Sequence, residues 1–560
     1  MSLTTVQTYH QGTKHHFQRY ASGPDGLDWK NQPDPFRRFA GCNTTKLPLL
    51  TEPTTILYED LYCKDKHQIH DYSLASIAQL FELSLGLSAW KQAGETRWPL
   101  RCNPSSGNLH PTEAYLILDK SILGIEPSNQ LNNEHNINNG IKQGIYHYVS
   151  CDHLLEQRCN FNYLSPQLPS DSFLIGLSSI HWREAWKYGE RAFRYCQHDV
   201  GHAIAAIRYA AATLGWQVQI LSGISDVDLA CLCGIDRNSD FTSAEPEHAD
   251  VMLLVNTQGR KLANINVPLT KLSTLAQQGQ WTGQANKLSS THGDDWPIIS
   301  DVASNSKKNE TSESIWKEPS YPLPLPHLHS IRIPASQLIK QRRSAQQFDS
   351  RGKMMSQSSF YRLLDLTLPR SMTAPLDTIP WQPRIHLLFF IHHVEELEPG
   401  LYILLRNDTA KTKTSFQQSL SSDFQWLKPH NCPQHIELFQ LVAGDARNAA
   451  KTLSCHQEIA SDGILSLAMI AEYTANLDSK PWQYRQYFWE AGIIGQTLYL
   501  EAESMGLRGT GIGCYFDDAV HELLDINDDT LQSLYHFTIG QALEDERLQT
   551  LPPYAHLQRS

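Results

Sequence analysis

Apolar residues recur at helical spacing in two long stretches of the first half of the chain. Between Ser73 and Ser88, leucine, isoleucine and phenylalanine return every three or four positions, which predicts an amphipathic helix. A second helix is expected from about Phe193 to Leu214, because Gly215 supplies the glycine that commonly follows a helix end. Shorter apolar runs predict strands at residues 114–118, 216–221 and 250–256.

The same order of elements returns in the second half of the chain. The segment that begins at Gly144 matches one that begins at Gly400, and Gly201 inside the later helix matches Gly492. Because this period is far longer than that of a solenoid repeat, we interpret it as two fused copies of one domain. The two copies are expected to form a pseudo-dimer within one chain.

A shift in composition separates the two copies. Residues 266–330 are rich in Gln, Ser, Asn, Lys and Pro, and they are too polar to bury a core of their own. We therefore expect a partly disordered linker there. The predicted organisation is an N-terminal extension at 1–70, a first domain at 71–265, a linker at 266–330 and a second domain at 331–554.

Overall composition narrows the class of protein without naming a function. Hydrophobic residues make up 41% of the chain and charged residues 19%, as in ordinary globular proteins. A formal charge of −12 argues against sequence-independent binding to nucleic acid. With no apolar run of membrane length and no secretory leader at the N-terminus, a cytoplasmic location is expected. The eleven cysteines show no zinc-site spacing, so no metal site is predicted.

A short basic stretch, Arg342-Arg343-Ser344, opens the second copy. Arginine offers a planar fork of donors and serine adds a hydroxyl, so the triplet is suited to holding a phosphate. Taken alone, adjacent arginines lie more often on a solvated helix face than around a ligand.

Further motifs follow this triplet in order. The second copy continues with Glu490 to Gln496 opening a helix, the glycine-rich run Gly506 to Cys514, Gly540 and Arg547, while the first copy contains a loop at 103–111. This succession resembles the flavin-dependent nitroreductase family. Within that family it is closest to the SagB-type dehydrogenases, which include azoline oxidases. The resemblance covers residues 71–260 and 331–554.

The resemblance implies an α+β fold, a mostly antiparallel sheet with helices, in which two nitroreductase-like domains hold FMN at their interface. Two arginines, a serine and Arg547 would neutralise the phosphate, and glycines would let backbone amides approach the flavin ring. Asn108 offers both a donor and an acceptor to the ring edge. The implied cofactor-binding residues are Arg342, Arg343, Ser344, Arg547, Pro104, Ser105, Ser106, Asn108, Gly511, Ile512, Gly513 and Cys514.

The two copies are not equivalent at these positions. The first copy has Glu59, Asp60 and Leu61 in place of the basic triplet, and it has Asn266, Ile220 and Ser222 in place of Arg547, Gly511 and Gly513. The second copy has no counterpart of the 103–111 loop. Since each copy keeps what the other lacks, we expect one FMN per chain, with its phosphate on the second copy.

Lys187-Tyr188 looks like the Lys-Tyr pair that SagB-type dehydrogenases often carry. A lysine with a lowered pKa could remove a proton while hydride leaves the neighbouring atom, although a solvent-facing Lys beside a packed Tyr explains the pair equally well. The leading hypothesis is an FMN-dependent oxidoreductase acting on a small molecule or peptide. The alternatives are an NAD(P)H-dependent nitro- or quinone-reductase and a non-catalytic flavin-binding accessory protein.

Overall fold

The computed structural model describes residues 4–122, 140–161, 168–261, 267–311, 316–326, 332–407, 410–473 and 475–557. The strands of the first half are β1 (Phe39–Ala40), β2 (Asn43–Lys46), β3 (Leu87–Ala93), β4 (Thr96–Arg101), β5 (Thr112–Leu118), β6 (Gly144–Val149), β7 (Leu154–Asn160), β8 (Ser172–Ser179), β9 (Gln217–Ile220), β10 (His248–Asn256), β11 (Gln280–Trp281) and β12 (Gln284–Ala285). Its helices are α1 (Thr5–Gly12), α2 (Leu74–Ser84), α3 (His181–Tyr188), α4 (Ala192–Ala212), α5 (Asp226–Cys233), α6 (Leu269–Gln278) and α7 (Pro297–Asn305).

The second half repeats this alternation of strands and helices. Its strands are β13 (Ile385–Ile391), β14 (Gly400–Leu405), β15 (Glu437–Ala443), β16 (Leu465–Glu472), β17 (Arg508–Ile512), β18 (Leu531–Gly540) and β19 (Gln549–Leu551). Its helices are α8 (Ala335–Gln341), α9 (Gln357–Asp365), α10 (Ala410–Ser419), α11 (Arg447–Leu453), α12 (Ile459–Asp462), α13 (Gln483–Ser504) and α14 (Asp517–Leu524). Short 3-10 helices lie at Trp29–Asn31, Tyr58–Tyr62, Lys64–Lys66, Ser106–Asn108, Gly189–Arg191, Asn238–Phe241, Leu376–Thr378 and Ala475–Asp478.

Each half is built around one antiparallel sheet. The first sheet runs in the order β11-β7-β6-β5-β8-β10-β9 and the second in the order β15-β14-β13-β16-β18-β17. From β7 and β15 onward the two orders correspond strand by strand, and Gly144 and Gly400 begin the matching strands β6 and β14. The α+β class with mostly antiparallel sheets is therefore confirmed. The repeated order of elements that was read from the sequence is thus also found in the strand order of the two sheets.

The halves meet along their long helices, α4 and α13. A Cβ atom added to Gly201 would lie 2.3 Å from the Trp489 carbonyl oxygen, and one added to Gly492 would lie 2.3 Å from the His198 carbonyl oxygen. No side chain fits at either position, so the two helices cross in direct backbone contact at the matched glycines. Glycine at these points follows from the close approach of the two backbones.

Reciprocal hydrogen bonds also join the halves away from the helix crossing. The Thr54 amide donates to Ser336 Oγ over 2.9 Å, and the Ser336 amide donates to Thr54 Oγ1 over 3.1 Å. Exchange of the same contact in both directions is typical of a two-fold interface.

Between residues 267 and 311 the predicted linker forms regular secondary structure, which the expectation of partial disorder did not foresee. It contains α6 and α7, and β11 extends the first sheet by pairing with β7. Leu272, Ala276 and Val302 are fully buried within this segment. A mean composition conceals such narrow apolar stripes, because two or three residues at helical spacing are enough to dock a short helix. The four domain boundaries remain predictions.

The N-terminal segment packs between the two halves. The Arg194 guanidinium of α4 donates to the His10 carbonyl over 2.6 Å, and His10 Nε2 lies 3.0 Å from Gln532 Oε1 in the second half. His10 is completely buried. Among the described residues, no helix combines the length and apolarity needed to cross a bilayer.

Candidate active site between the two halves

A cavity of about 460 Å³ lies between the halves. All the residues expected to bind a cofactor, except Arg547, line this cavity, although they come from distant parts of the chain. From the first half these are Pro104, Ser105, Ser106 and Asn108, and from the second half Arg342, Arg343, Ser344, Gly511, Ile512, Gly513 and Cys514. Tyr188 also lines the cavity. Lys187 and Arg547 are absent from its lining.

Arg342 follows the end of α8 and is buried in the cavity wall. Its Nη2 donates to the Arg101 carbonyl over 3.3 Å, and its guanidinium lies over the Tyr499 ring at 5.0 Å from the centroid. Its Nε and Nη1 have no hydrogen-bond partner. Burial lowers the pKa of Arg342. A buried guanidinium with unused donors is costly, so this site is suited to an anion.

The Arg343 guanidinium donates more hydrogen bonds to backbone carbonyls than the Arg342 guanidinium does. Its Nη1 donates to the carbonyls of Lys340 and Arg342, each over 2.7 Å. Burial, and after it the charge of Arg342, lowers the pKa of Arg343 to about 10. Arg508 on β17 is a third cavity cation, and its Nη1 lies 2.8 Å from Glu503. Sequence reasoning missed Arg508, although it stands inside the glycine-rich run that was singled out.

Arg547 does not take the place expected for it. Its side chain is 87% exposed and forms a two-bond pair with Asp545, at 2.9 Å from Nε and 2.8 Å from Nη2. The Arg547 amide also donates to Asp545 Oδ1. The aspartate two residues earlier therefore holds Arg547 in a local turn, and the expected phosphate contact is corrected by this geometry.

The 103–111 loop is anchored to α4 through an acidic residue that the sequence did not reveal. Asp199 accepts hydrogen bonds from the Ser106 amide at 3.0 Å and the Ser106 hydroxyl at 3.1 Å. Burial raises the pKa of Asp199 to about 7. Asn108 donates to the Pro99 carbonyl over 2.9 Å, so one of its two amide hydrogens supports the loop, while the other hydrogen and the amide oxygen are left for a ligand. Asn103 Oδ1, by contrast, has no partner.

Gly511 in β17 and Gly513 directly after it lie close to tyrosine side chains. A Cβ atom on Gly511 would lie 1.9 Å from Tyr535 Oη, and one on Gly513 would lie 2.1 Å from Tyr195 Cε1. The Gly511 amide already donates to Tyr499 Oη over 2.9 Å. These glycines make room for tyrosine rings in the cavity wall, and the Gly511 amide is engaged within the protein.

Lys187 and Tyr188 end α3 beside the 103–111 loop. The Lys187 Nζ is 5.3 Å from the Tyr188 ring centroid. A Cβ atom on Gly107 would lie 2.6 Å from Tyr188 Oη and 3.2 Å from Lys187 Nζ, so both groups reach the loop. Burial, followed by the charge of Glu184, raises the pKa of Tyr188. The phenol is therefore a neutral hydrogen-bond donor at ordinary pH.

The matching position in the first half is filled by protein. Around Ile220 and Ser222, the counterparts of two cavity glycines, the space measures only about 20 Å³. The Lys308 ammonium, from the predicted linker, donates to the Ser222 carbonyl, and the Lys308 amide donates to Asp226 Oδ2 over 2.9 Å. Asn266, the counterpart of Arg547, lies outside the described residues.

Comparison with known proteins agrees with this architecture. A model of the nitroreductase family matches residues 425–541. This match covers part of the second half of the chain. A search of curated proteins finds no match.

One solved structure extends the likeness in fold to nearly the whole chain. A putative nitroreductase from Anabaena variabilis ATCC 29413 is 19% identical, with 97% of this chain and 100% of that chain covered at a TM-score of 0.67. A putative nitroreductase from Ralstonia eutropha JMP134 is 18% identical, covering 42% of this chain and 97% of its own at a TM-score of 0.26. The E. coli microcin synthetase McbBCD complex with truncated pro-MccB17 is 16% identical, covering 41% and 79% at a TM-score of 0.27. The fold is nitroreductase-like.

Proposed function

We propose that the chain binds one FMN in the cavity between its halves and acts as an FMN-dependent oxidoreductase of the SagB type. The observation that carries this proposal is Arg342, whose two unpartnered nitrogens are buried in the cavity wall. A phosphate monoester would satisfy both donors and offset the cost of burying the charge. Arg508 lines the same cavity, and so does Ser344, whose hydroxyl lies 2.9 Å from Tyr499 Oη.

The opposite side of the cavity is suited to the polar edge of a flavin. Asn103 offers an unpartnered amide oxygen, and Asn108 keeps its own oxygen free of the bond that its nitrogen makes to Pro99. Acceptors of this kind complement the N–H groups of a pyrimidine ring. The loop that carries them is held by Asp199, so these oxygens are positioned before a ligand arrives.

A single cofactor per chain is supported by the contrast between the two matched positions. The cavity beside Gly511 and Gly513 is open, whereas the space beside Ile220 and Ser222 is closed by Lys308. The tandem arrangement would then act as an internal dimer with one working interface. The reciprocal contact between the halves fits this arrangement.

Bound FMN supplies an acceptor for hydride at N5. The residues of the chain would orient the substrate and move its proton. Tyr188, as a neutral phenol, would donate a hydrogen bond to the substrate, and Lys187 would receive the proton from the atom beside the departing hydride. Substrates of this chemistry carry a C–N, C–C or azoline bond in a small molecule or a peptide.

The first experiment is reconstitution of the full chain with FMN, followed by measurement of the flavin-to-chain ratio. We expect one equivalent of tightly bound FMN. Two equivalents of bound FMN would contradict the proposed asymmetry of the two halves. Absence of bound FMN would contradict the proposed site itself. Anaerobic bleaching of the bound flavin then tests the reaction, because reduction only by an azoline-bearing peptide supports the dehydrogenase and rapid reduction by NAD(P)H would replace it with a reductase.

A further inference from the structure

Two cysteines from different parts of the second half meet at the cavity wall. Cys514 follows β17 and lines the cavity, while Cys455 lies in the turn after α11. Their Sγ atoms are 2.7 Å apart, and both residues are half-buried with free thiols. An S–S bond of about 2.04 Å requires these atoms to close by well under 1 Å.

The turn that presents Cys455 has an uncommon backbone. Cys455 and His456 have φ values of 53° and 59°, in the left-handed region that residues with side chains rarely occupy. Such conformations persist when the surrounding structure fixes them, and they concentrate at functional sites. Here Gln457 fixes the turn, because its Nε2 donates to the Cys514 carbonyl over 3.1 Å and to the Ser454 carbonyl over 2.8 Å.

The N-terminal segment adds a hydrogen-bond donor to this pair. His15 Nδ1 accepts from the Ala21 amide at 2.9 Å, so the proton of the neutral ring lies on Nε2. The His15 amide donates to Asp517 Oδ2 over 2.9 Å, which holds the residue against the strand end. The His15 side chain lowers the pKa of the Cys514 thiol. Tyr20 from the same segment lies beside Cys455.

The surroundings of the two sulfur atoms divide their roles. The hydrogen bond between the two sulfur atoms lowers the pKa of Cys514, and His15 and Arg191 act in the same direction. The hydrogen bond to Cys514, followed by burial, raises the pKa of Cys455. One thiolate and one protonated thiol in contact is the arrangement of an attacking cysteine with its resolving partner.

We propose that Cys514 and Cys455 form a thiol–disulfide exchange pair that reacts with low-molecular-weight disulfides. The Cys514 thiolate attacks one sulfur of the small disulfide, forms a mixed disulfide and expels one thiolate. Cys455 then loses its proton to solvent, and its sulfur attacks the Cys514 sulfur and expels the second thiolate. Two electrons pass from the pair to the small disulfide, which leaves as two thiols after taking up protons from solvent.

Glutathione disulfide applied to the full chain, followed by peptide mapping without reductant, tests this pair. We expect a Cys455–Cys514 linked peptide that is lighter by two hydrogen atoms and is restored by dithiothreitol. Cys455→Ser should accumulate a stable glutathione adduct on Cys514, because the resolving thiol is gone. Cys514→Ser should leave Cys455 unmodified. Cys231→Ser is the matched control, and it should form the linked peptide as wild type does.

Absence of the linked peptide, or an adduct that appears first on Cys455, would overturn the proposal. A second measurement avoids substitutions altogether. Iodoacetamide at pH 6 should label Cys514 in the native chain at least tenfold faster than Cys432, another half-buried cysteine, whose pKa burial raises to about 11. Equal rates would also overturn the proposal. Both tests are run on the flavin-free chain and read sulfur chemistry only, so a failure of the proposed FMN site would not change their outcome.

Discussion

Replacing Arg342 with methionine should raise the free energy of unfolding of the cofactor-free protein and at the same time weaken its affinity for FMN. Methionine fills much of the same volume without the buried charge. An unsatisfied buried polar group costs about 1–3 kcal/mol, and two guanidinium nitrogens lack partners here. The lost cation–π contact with Tyr499 and the weak bond to Arg101 offset part of this gain. We therefore expect a net rise in the free energy of unfolding of about 1 kcal/mol.

Binding of FMN should respond in the opposite direction. Two charge-assisted hydrogen bonds to phosphate are worth at least about 1.5 kcal/mol each, so their loss should weaken the affinity about 100-fold. Urea unfolding of the free protein and quenching of FMN fluorescence measure the two effects separately. Arg547→Met is the control, because that exposed side chain lies outside the cavity and should change neither quantity. A destabilised Arg342→Met protein with unchanged FMN affinity would refute the reasoning.

Three further outcomes can be measured. Gly492→Ala should lower the free energy of unfolding by about 2 kcal/mol or more in urea, since its Cβ would meet backbone, whereas Gly26→Ala, with open space around it, should cost far less. The folded chain holds the pKa of Asp199 near 7 rather than 3.8, so it keeps a proton that the unfolded chain loses, and stability falls as pH rises through that window. Asp199→Asn should reduce this slope in unfolding measurements at a series of pH values; an unchanged slope would contradict the assignment. Lys187→Met and Tyr188→Phe should abolish turnover while FMN stays bound, and unchanged turnover would make both residues structural.

The elements that local patterns encode could be predicted from the sequence. The apolar periodicity of α2 and the glycine after α4 depend on neighbours a few residues away, so helix positions follow from short windows. The matched glycines Gly201 and Gly492 were visible as a repeat, although their contact across the crossing could be known only from the structure. The basic triplet and the 103–111 loop were found because both carry distinctive residue types.

Other parts of the site depend on partners that no short window contains. Asp199 stands in mid-helix, and nothing in its neighbours along the chain indicates that it accepts bonds from Ser106. Arg547 was misjudged because Asp545, two residues away, competes for its guanidinium. Lys308 closes the second position from within a segment whose average composition predicts disorder. These features arise from tertiary placement, which overrides local propensity.

Residues from both halves of one polypeptide form the walls of the cavity, so the cavity should stay assembled when the protein is diluted. In a dimer of separate subunits, a site at the interface dissolves when the protein concentration falls below the dissociation constant of the subunits. Here the reciprocal bonds between Thr54 and Ser336 join parts of the same chain, so their effective concentration is fixed by covalent connection. At a fixed concentration of free ligand, occupancy of the site should therefore be the same at nanomolar as at micromolar protein, and no exchange of halves between molecules is needed to assemble the site.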